Sequence, residues 1–417
     1  MSSKTLVVGG GPAGMIAAIR AGKSGSNVIL LEKNDFLGKK LMITGKGRCN
    51  LTTTLDPQEI VENFPGNGYF LYGPIYSFSN YDLMDFFESL GIKLKRERGD
   101  RVFPESDKAK EIQKALLKSM ENLQVKIKSN IKVTQILTEK DNSETRVIGV
   151  KTNKGAFYSD NIILATGGAS YPATGSTGDG YKLASQLGHT IISPKPSLVP
   201  LLIKEKYVKD LQGLTLKNVS ASLKNKNGKL LQDEFGEMLF THNGVSGPII
   251  LSISRSATEY FSKNNDNLYL SIDFKPALDN EKLDQRIQRD FEKFTNKDFK
   301  NSLDDLLPKS LIPVVISKSN IDPDKKVNQI TRKERQQLIT TLKSFELTVT
   351  GTHSFEDAIV TAGGVSTKEI SPQTLESKII KNLYLAGEII DIDGYTGGFN
   401  LQAAFSTGWV AGENAAY

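Results

Sequence analysis

One cysteine, Cys49, and three histidines are all that the 417 residues offer in thiol and imidazole groups. A lone thiol excludes an internal disulfide and any multi-cysteine metal site, so no metal is expected. No apolar run reaches the roughly 18 residues that a membrane-crossing helix needs. The first apolar segment starts at Thr5, which leaves no room for a cleavable signal; the expected compartment is the cytoplasm, with no membrane partner. Within those exclusions the chain has an ordinary globular balance, 38% hydrophobic and 24% charged residues. Its length exceeds what one hydrophobic core usually supports, which implies two or three domains.

The net charge of +6 is unevenly spread. Residues 193–352 hold about 25 Lys and Arg against about 20 Asp and Glu, most of the excess. A local basic bias can mark an anionic partner such as RNA, and a solvated lysine-rich surface gives the same count. Charge alone permits RNA binding without requiring it.

The opening residues are more specific. Thr5-Leu-Val-Val-Gly9-Gly10-Gly11-Pro12-Ala13-Gly14 is followed, eighteen residues after Gly14, by Glu32 at the end of the apolar run Val28–Leu31. This spacing predicts a dinucleotide-binding strand–helix–strand unit. Gly9 permits the tight bend, Gly11 lets the backbone approach a pyrophosphate, and Gly14 allows close packing of helix on strand. The pyrophosphate would sit on the helix N-terminus, and Glu32 would accept from an adenosine ribose. An ordinary strand–turn–helix would share the glycines but not the second strand and its acid.

Along the rest of the chain, a glycine- and lysine-rich loop runs from Gly38 to Asn50, and a polar stretch with Pro65 and Pro74 as breakers reaches about residue 78. Apolar spacing predicts helices over 80–90, ending at Gly91, and over 107–123, with Asp107 as N-cap. Strands are expected at 125–128, 131–138, 147–152 and 161–165. From Ser193 the pattern becomes proline-punctuated and alternating, with segments at 199–203 and 219–223 and a turn at 225–228, which reads as a small antiparallel β domain. Helical periodicity at 282–294 and 331–344 points to a helical subdomain. A strand at 382–386 and a helix at 401–413 would complete the first domain. The expected organisation is a discontinuous Rossmann-type α/β domain (1–192 with 352–417), an inserted β-barrel-like domain (193–275 with 345–351) and a helical subdomain (276–344).

Two later segments narrow the nucleotide. Ile162-Ile-Leu-Ala165-Thr166-Gly167-Gly168 and Leu383-Tyr-Leu-Ala386-Gly387-Glu388 resemble the strand ends of two-dinucleotide-fold flavoproteins, in which small residues let a flat cofactor lie against backbone. Gly397 and Gly398 then precede a helix whose N-terminus could face the flavin and stabilise negative charge there. With these segments stand Gly45-Lys46-Gly47-Arg48-Cys49-Asn50-Leu51-Thr52, Gly168-Ala-Ser-Tyr-Pro172, Gly175-Ser-Thr-Gly178-Asp179-Gly180, Phe240-Thr-His242-Asn-Gly-Val-Ser246-Gly-Pro248, Thr361-Ala-Gly-Gly-Val365 and Gly397-Gly-Phe-Asn-Leu-Gln402. In order and from end to end, the chain resembles the BaiN/RdsA-like family of bacterial FAD-dependent oxidoreductases. The helix start at Gly178–Gly180 also resembles that of the fumarate reductase flavoproteins, a more distant relation.

The resemblance implies a Rossmann-type FAD domain split by a β-barrel-like domain and a helical insertion. Motifs and resemblance together assign FAD binding to Gly9, Gly11, Pro12, Ala13, Gly14, Glu32, Lys33, Gly47, Arg48, Cys49, Asn50, Val133, Ala165, Thr166, Gly167, Gly387, Glu388, Gly397, Gly398, Asn400 and Leu401. It also implies one of several reactions: reduction of uridine in 23S ribosomal RNA to dihydrouridine, saturation of a bile-acid double bond, or oxidation of aminoacetone. No second glycine-rich dinucleotide unit is present, so NADH or NADPH would dock transiently, or electrons would come from the substrate.

Three residues are candidates for the chemistry. Cys49 could donate a proton opposite hydride delivery, pack against the cofactor, or act in redox chemistry; Lys46 and Arg48 would favour its thiolate. His242 precedes a turn in which Ser246 resembles an N-cap and Pro248 an early helix position, and could touch substrate or flavin. Arg101 could hold an anionic substrate group or make a surface ion pair. His189 reads as a satisfied histidine at a helix end. The favoured expectation is NAD(P)H-dependent reduction of a conjugated C=C bond, with uridine in 23S ribosomal RNA as the specific substrate, Lys and Arg of the inserted domains holding its phosphates. The alternatives are a small-molecule oxidase or reductase and an RNA-binding assembly factor with structural FAD.

Overall fold

The computed structural model describes residues 3–141 and 144–417. They form two compact units, Met1–Ser197 with Phe355–Tyr417, and Leu198–Ser354.

The first unit is built on a five-stranded parallel sheet. Its central strand Lys4–Val8 is flanked by Asn27–Leu31 and Asn161–Leu164, with Lys126–Lys128 and Leu383–Leu385 at the edges. Strands such as Asn161–Leu164 are buried along their whole length. That is why they read as continuous apolar runs rather than as alternation. The register pairs Val8 with Leu31 and with Leu164, and Leu164 with Leu385. Gly9, Glu32, Ala165 and Ala386 therefore leave the sheet at one end, the carboxyl end where such folds bind nucleotides.

Helix Pro12–Lys23 follows the first strand, and the C-terminal helix Phe399–Asn414 crosses it at close range. A Cβ on Gly408 would lie 2.3 Å from the Ala13 carbonyl oxygen, and one on Gly412 would lie 2.3 Å from that of Ala17. Two glycines one turn apart thus set the approach of the backbones. Phe78 stacks on Trp409 at 4.2 Å and closes the outer side of the C-terminal helix.

Several local expectations are corrected. The predicted helix at 107–123 spans Ala109–Asn122, and its N-cap is Lys108. Asp107 instead has φ of 55° and gives its carboxylate to Lys95 and Arg48. Pro74 does not break structure, because it sits in the first turn of the short helix Tyr72–Ser77, where its missing N–H costs nothing. The first unit runs on past residue 192, since the strand Ile191–Ser197 pairs antiparallel with Val360–Val365.

The second unit contains a closed six-stranded barrel, in the order Leu201–Ile203, Gly244–Ser246, Leu230–Phe240, Thr215–Lys224, Leu268–Asp273 and Phe345–Thr352. Helices Pro248–Phe261, Asn280–Lys293, Ile312–Ser319 and Arg332–Lys343 belong to the same unit. Barrel residues Leu270 and Val349 and helical residues Leu283, Val315 and Leu338 share one hydrophobic cluster. The helical segment is therefore part of the barrel's own core rather than a separate body. Thr331 caps the helix Arg332–Lys343 in a capping box with Glu334. Gly247, not Ser246, caps the helix that Pro248 begins, because its φ of 97° turns the chain out of the barrel strand.

Candidate functional site

At the carboxyl end of the parallel sheet, the Gly9 backbone has φ of +107°, and a Cβ there would lie 2.4 Å from the Ala165 carbonyl oxygen. A Cβ on Gly14 would lie 1.9 Å from the Gly9 carbonyl oxygen. The chain itself demands both glycines. Gly11 differs: its φ of −77° suits any residue, and nothing lies within 4 Å of where its side chain would begin. Among the described glycines outside the left-handed region it alone has open space there. Gly11 caps the helix that starts with Pro12 and Ala13, so the open space fronts helix N–H groups that have no partner within the helix. An anionic pyrophosphate fits that place by both size and charge.

Glu32 is buried, with its carboxylate accepting from Gly10 N–H at 2.7 Å and from Asn34 N–H and Nδ2 at 2.8 and 2.7 Å. The acid thus sits beside the glycine turn, as an acid that receives a ribose must. Ile131 N–H donates to the Glu32 carbonyl at 2.9 Å, and Val133, two residues on, is buried at the start of its strand. Lys33 is directed elsewhere: its Nζ donates to Thr177 and to Asp179 at 2.7 Å, fastening the head of helix Asp179–Gln186.

The two flavoprotein-like strand ends meet over this turn. Ala165 N–H donates to Val8 and Ala386 N–H to Leu164. Gly167 and Gly387 both have positive φ, and a Cβ on Gly387 would lie 2.8 Å from that of Ala13. Thr166 Oγ1 is buried and has no hydrogen-bond partner among the described residues. Glu388 is the hub of a network that sequence reasoning missed. Its carboxylate takes Lys40 Nζ at 2.7 Å, Ser170 Oγ at 2.9 Å and Thr361 N–H at 2.8 Å, and Lys40 also donates to Ser170 at 2.6 Å. Lys40 lies in the short helix Lys39–Ile43, within the segment expected as a loop that stood out only for its glycines and lysines, and nothing local marks it from Lys39, which pairs with Asp35.

The loop carrying Cys49 is held against the head of the C-terminal helix. The Asn50 amide accepts from Gly398 N–H at 3.0 Å and donates to the carbonyls of Val102 and Thr52. Thr52 Oγ1 donates to Gln402 at 2.6 Å. Gly397 and Gly398 have φ of 145° and 100°, and a Cβ on Gly398 would lie 2.5 Å from the Thr52 carbonyl oxygen. Asn400 folds back onto Gly394 and Tyr395, fixing the turn before the helix, and Leu401 is half-buried beside it. Gly45, Lys46 and Gly47 have φ of 56°, 59° and 84°, which bends the loop so that Cys49, itself at φ 63°, points inward.

Cys49 is fully buried. Burial pushes its thiol up to about 12, against the opposing hydrogen bond with Thr44. The expectation that Lys46 and Arg48 would favour the thiolate therefore fails: desolvation dominates, and Arg48 spends its charge on Glu97 at 2.8 Å and Asp107 at 3.2 Å. Among the described residues Arg101 has no carboxylate within ion-pair distance; its Nε donates to the Arg98 carbonyl and its guanidinium lies 5.9 Å from the Phe103 ring. His242 belongs to the second unit, where its Nδ1 lies 3.2 Å from Gln212 Oε1. His189 is buried between Ser377, 3.0 Å from Nε2, and Glu369, 3.3 Å from Nδ1. Among the described residues no group of three or more His, Cys, Asp or Glu could hold a metal, and no helix is long and apolar enough to cross a membrane.

Known proteins share this architecture along the whole chain. The family described as HI0933-like protein Rossmann domain matches residues 3–414. A 3-dehydro-bile acid delta(4,6)-reductase of Clostridium scindens is 32% identical, over 98% of both chains. A ribosomal RNA dihydrouridine synthase of Escherichia coli is 28% identical, over 98% of this chain and 97% of its own. In fold, the chain is similar to a 3-ketosteroid-delta4-(5alpha)-dehydrogenase of Rhodococcus jostii RHA1, with a TM-score of 0.55 and 17% identity over 100% of this chain and 97% of that one. The fit of Gly11, Glu32 and the two strand ends to FAD agrees with that company. The chain belongs to the HI0933-like Rossmann family and is an FAD-dependent oxidoreductase.

Proposed function

We propose that this enzyme uses NAD(P)H to saturate a C=C bond conjugated to a carbonyl, and that its substrate is uridine in 23S ribosomal RNA. The observation that carries the reading is the end-to-end similarity to two relatives whose names describe the same bond change, on a bile acid and on a uridine. The balance is uridine plus NAD(P)H plus a proton, giving dihydrouridine and NAD(P)+. When bound, FAD supplies the two-electron transfer between nicotinamide and substrate.

The chain's own residues hold and orient. Gly11 and the head of helix Pro12–Lys23 take the pyrophosphate, Glu32 the ribose, and Glu388, kept in place by Lys40 and Ser170, the ribityl side. The N-terminus of helix Phe399–Asn414 carries a positive partial charge, to which Asn50 anchors the Cys49 loop. Cys49 keeps its proton and packs beneath the site; its burial supports that role over proton donation. A small enone is the second reading, favoured by the 32% identity to the bile-acid reductase. The compartment that suits ribosomal RNA is the cytoplasm.

The test is mass spectrometry of nucleosides from 23S ribosomal RNA of cells with and without the protein, followed by adding purified protein, FAD and NAD(P)H to the deficient RNA. Loss of dihydrouridine in the cells and its return in vitro are expected. An unchanged level would overturn the RNA substrate and leave the enone reading.

A further inference from the structure

Residues 49–92 contain six carboxylates and no lysine or arginine, and residues 93–101 then bring five cations against two acids. The fold makes that change of sign a surface. Leu94–Glu97 and Arg101–Pro104 form a hairpin, with Lys95 opposite Phe103 and Glu97 opposite Arg101. Lys93, Arg96 and Arg98 are exposed on it, and Lys46 and Lys108 are exposed on the adjoining segments. The acids nearby are Glu97 and Asp107, which serve Arg48 and Lys95, Asp100, which serves Arg96, and the exposed Glu105, whose N–H donates to the Lys93 carbonyl at 2.8 Å; the cations outnumber them. The Arg48 guanidinium lies over the Phe103 ring, 4.1 Å from its centre, with Arg101 at 5.9 Å from the same ring. A cation over a ring keeps its charge, as Arg101 does here, whereas Arg48 is also paired with Glu97 and Asp107.

The hairpin is bolted to the Cys49 loop. Leu51 N–H donates to the Val102 carbonyl at 2.8 Å, Thr54 N–H to that of Asp100 at 2.8 Å, and Thr52 pairs with Val102. The second unit, whose lysines the charge count singled out, has ion pairs of its own. There Lys300 meets Asp324, Lys326 meets Asp298, Arg335 meets Asp284 and Lys343 meets Asp273. Many of its cations are already balanced within its own helices and barrel.

Building on the reading of RNA as substrate, we propose that the 93–104 hairpin is the phosphodiester-binding surface that holds the RNA strand beside the flavin site. Lysine and arginine contacts to phosphate position a strand without reading its sequence. A surface fixed to the Cys49 loop would present the nucleotide next to its anchor.

The experiment is fluorescence anisotropy of a labelled single-stranded segment of 23S ribosomal RNA titrated with FAD-loaded protein at several salt concentrations. The K93Q/R96Q/R98Q variant is compared with K282Q/K300Q/K333Q, which removes the same charge from the second unit. The hairpin variant should bind about tenfold or more weakly, with a salt dependence shallower by about two in log–log slope, as expected for about three lost single-strand phosphate contacts. The second-unit variant should stay within about twofold of the wild type. Equal loss in both variants, or loss only in the second, would overturn the hairpin assignment while leaving RNA as the substrate. A hairpin variant that binds RNA normally but has a raised KM for NAD(P)H would assign the surface to the dinucleotide and overturn it too. A wild type that binds no RNA would remove the substrate reading itself.

Discussion

Thr52 and Gln402, 350 residues apart in sequence, are joined by a 2.6 Å hydrogen bond between two fully buried side chains. The bond ties the strand after Cys49 to the first turn of the C-terminal helix, with Gln402 Nε2 already committed to Ser406 and Phe78. Thr52→Val keeps the shape and strands the Gln402 oxygen in the interior. We expect a loss of about 1–3 kcal/mol, the cost of an unsatisfied buried acceptor, in reversible chemical denaturation. A change below a few tenths would mean that the two segments are held by packing alone.

Gly11 and Gly14 separate binding from folding. At Gly14 a Cβ meets the Gly9 carbonyl oxygen, so Gly14→Ala should lower the melting temperature of the cofactor-free protein and give poor yield. At Gly11 the backbone and the space both accept alanine. Gly11→Ala should melt like the wild type without FAD and bind FAD at least about tenfold more weakly, the effect of blocking backbone approach to a phosphate. Flavin fluorescence titration and thermal melts of apoprotein check both, and normal FAD affinity in Gly11→Ala would refute the pyrophosphate cradle.

The difference between these two glycines shows what the sequence could reveal. The glycine turn, its helix and Glu32 were legible because one short segment contains the whole geometric requirement. The Lys40–Glu388–Ser170–Thr361 network was not, since it joins four segments that only the fold brings together. Asp107 read as an N-cap from its place before a helix, yet the pull of Lys95 and Arg48 outweighed capping. The thiolate expected at Cys49 failed for a similar reason: neighbours in sequence showed the cations, and burial, which sequence does not show, decided the outcome.

That burial has a pH signature. The folded thiol titrates near 12, and an unfolded thiol near 8.5, so above about 8.5 the unfolded chain releases a proton that the native chain keeps. The stabilisation is complete below that pH and fades as pH rises towards about 12. Cys49→Ala should flatten this alkaline limb in denaturation measured from pH 8 upwards. A thiol reagent should label Cys49 of the folded protein only at the rate of opening, and rapid stoichiometric labelling would show an accessible thiol instead.

His189 predicts the opposite limb. Burial lowers its pKa, opposed by the Glu369 carboxylate, and its two ring nitrogens are taken by Ser377 and Glu369. A histidine whose folded pKa is depressed below the usual value of about 6.5 binds its proton later than the unfolded chain does. Stability should therefore hold above about pH 6.5 and decline as pH falls below it, before most carboxylates titrate. His189→Gln, which keeps polar atoms but cannot gain the charge, should lower stability at neutral pH and lose the dependence between about pH 6.5 and 5. If the variant keeps the wild-type slope in that window, the proton uptake belongs to another group, and His189 is held charged by Glu369 rather than neutral by its surroundings.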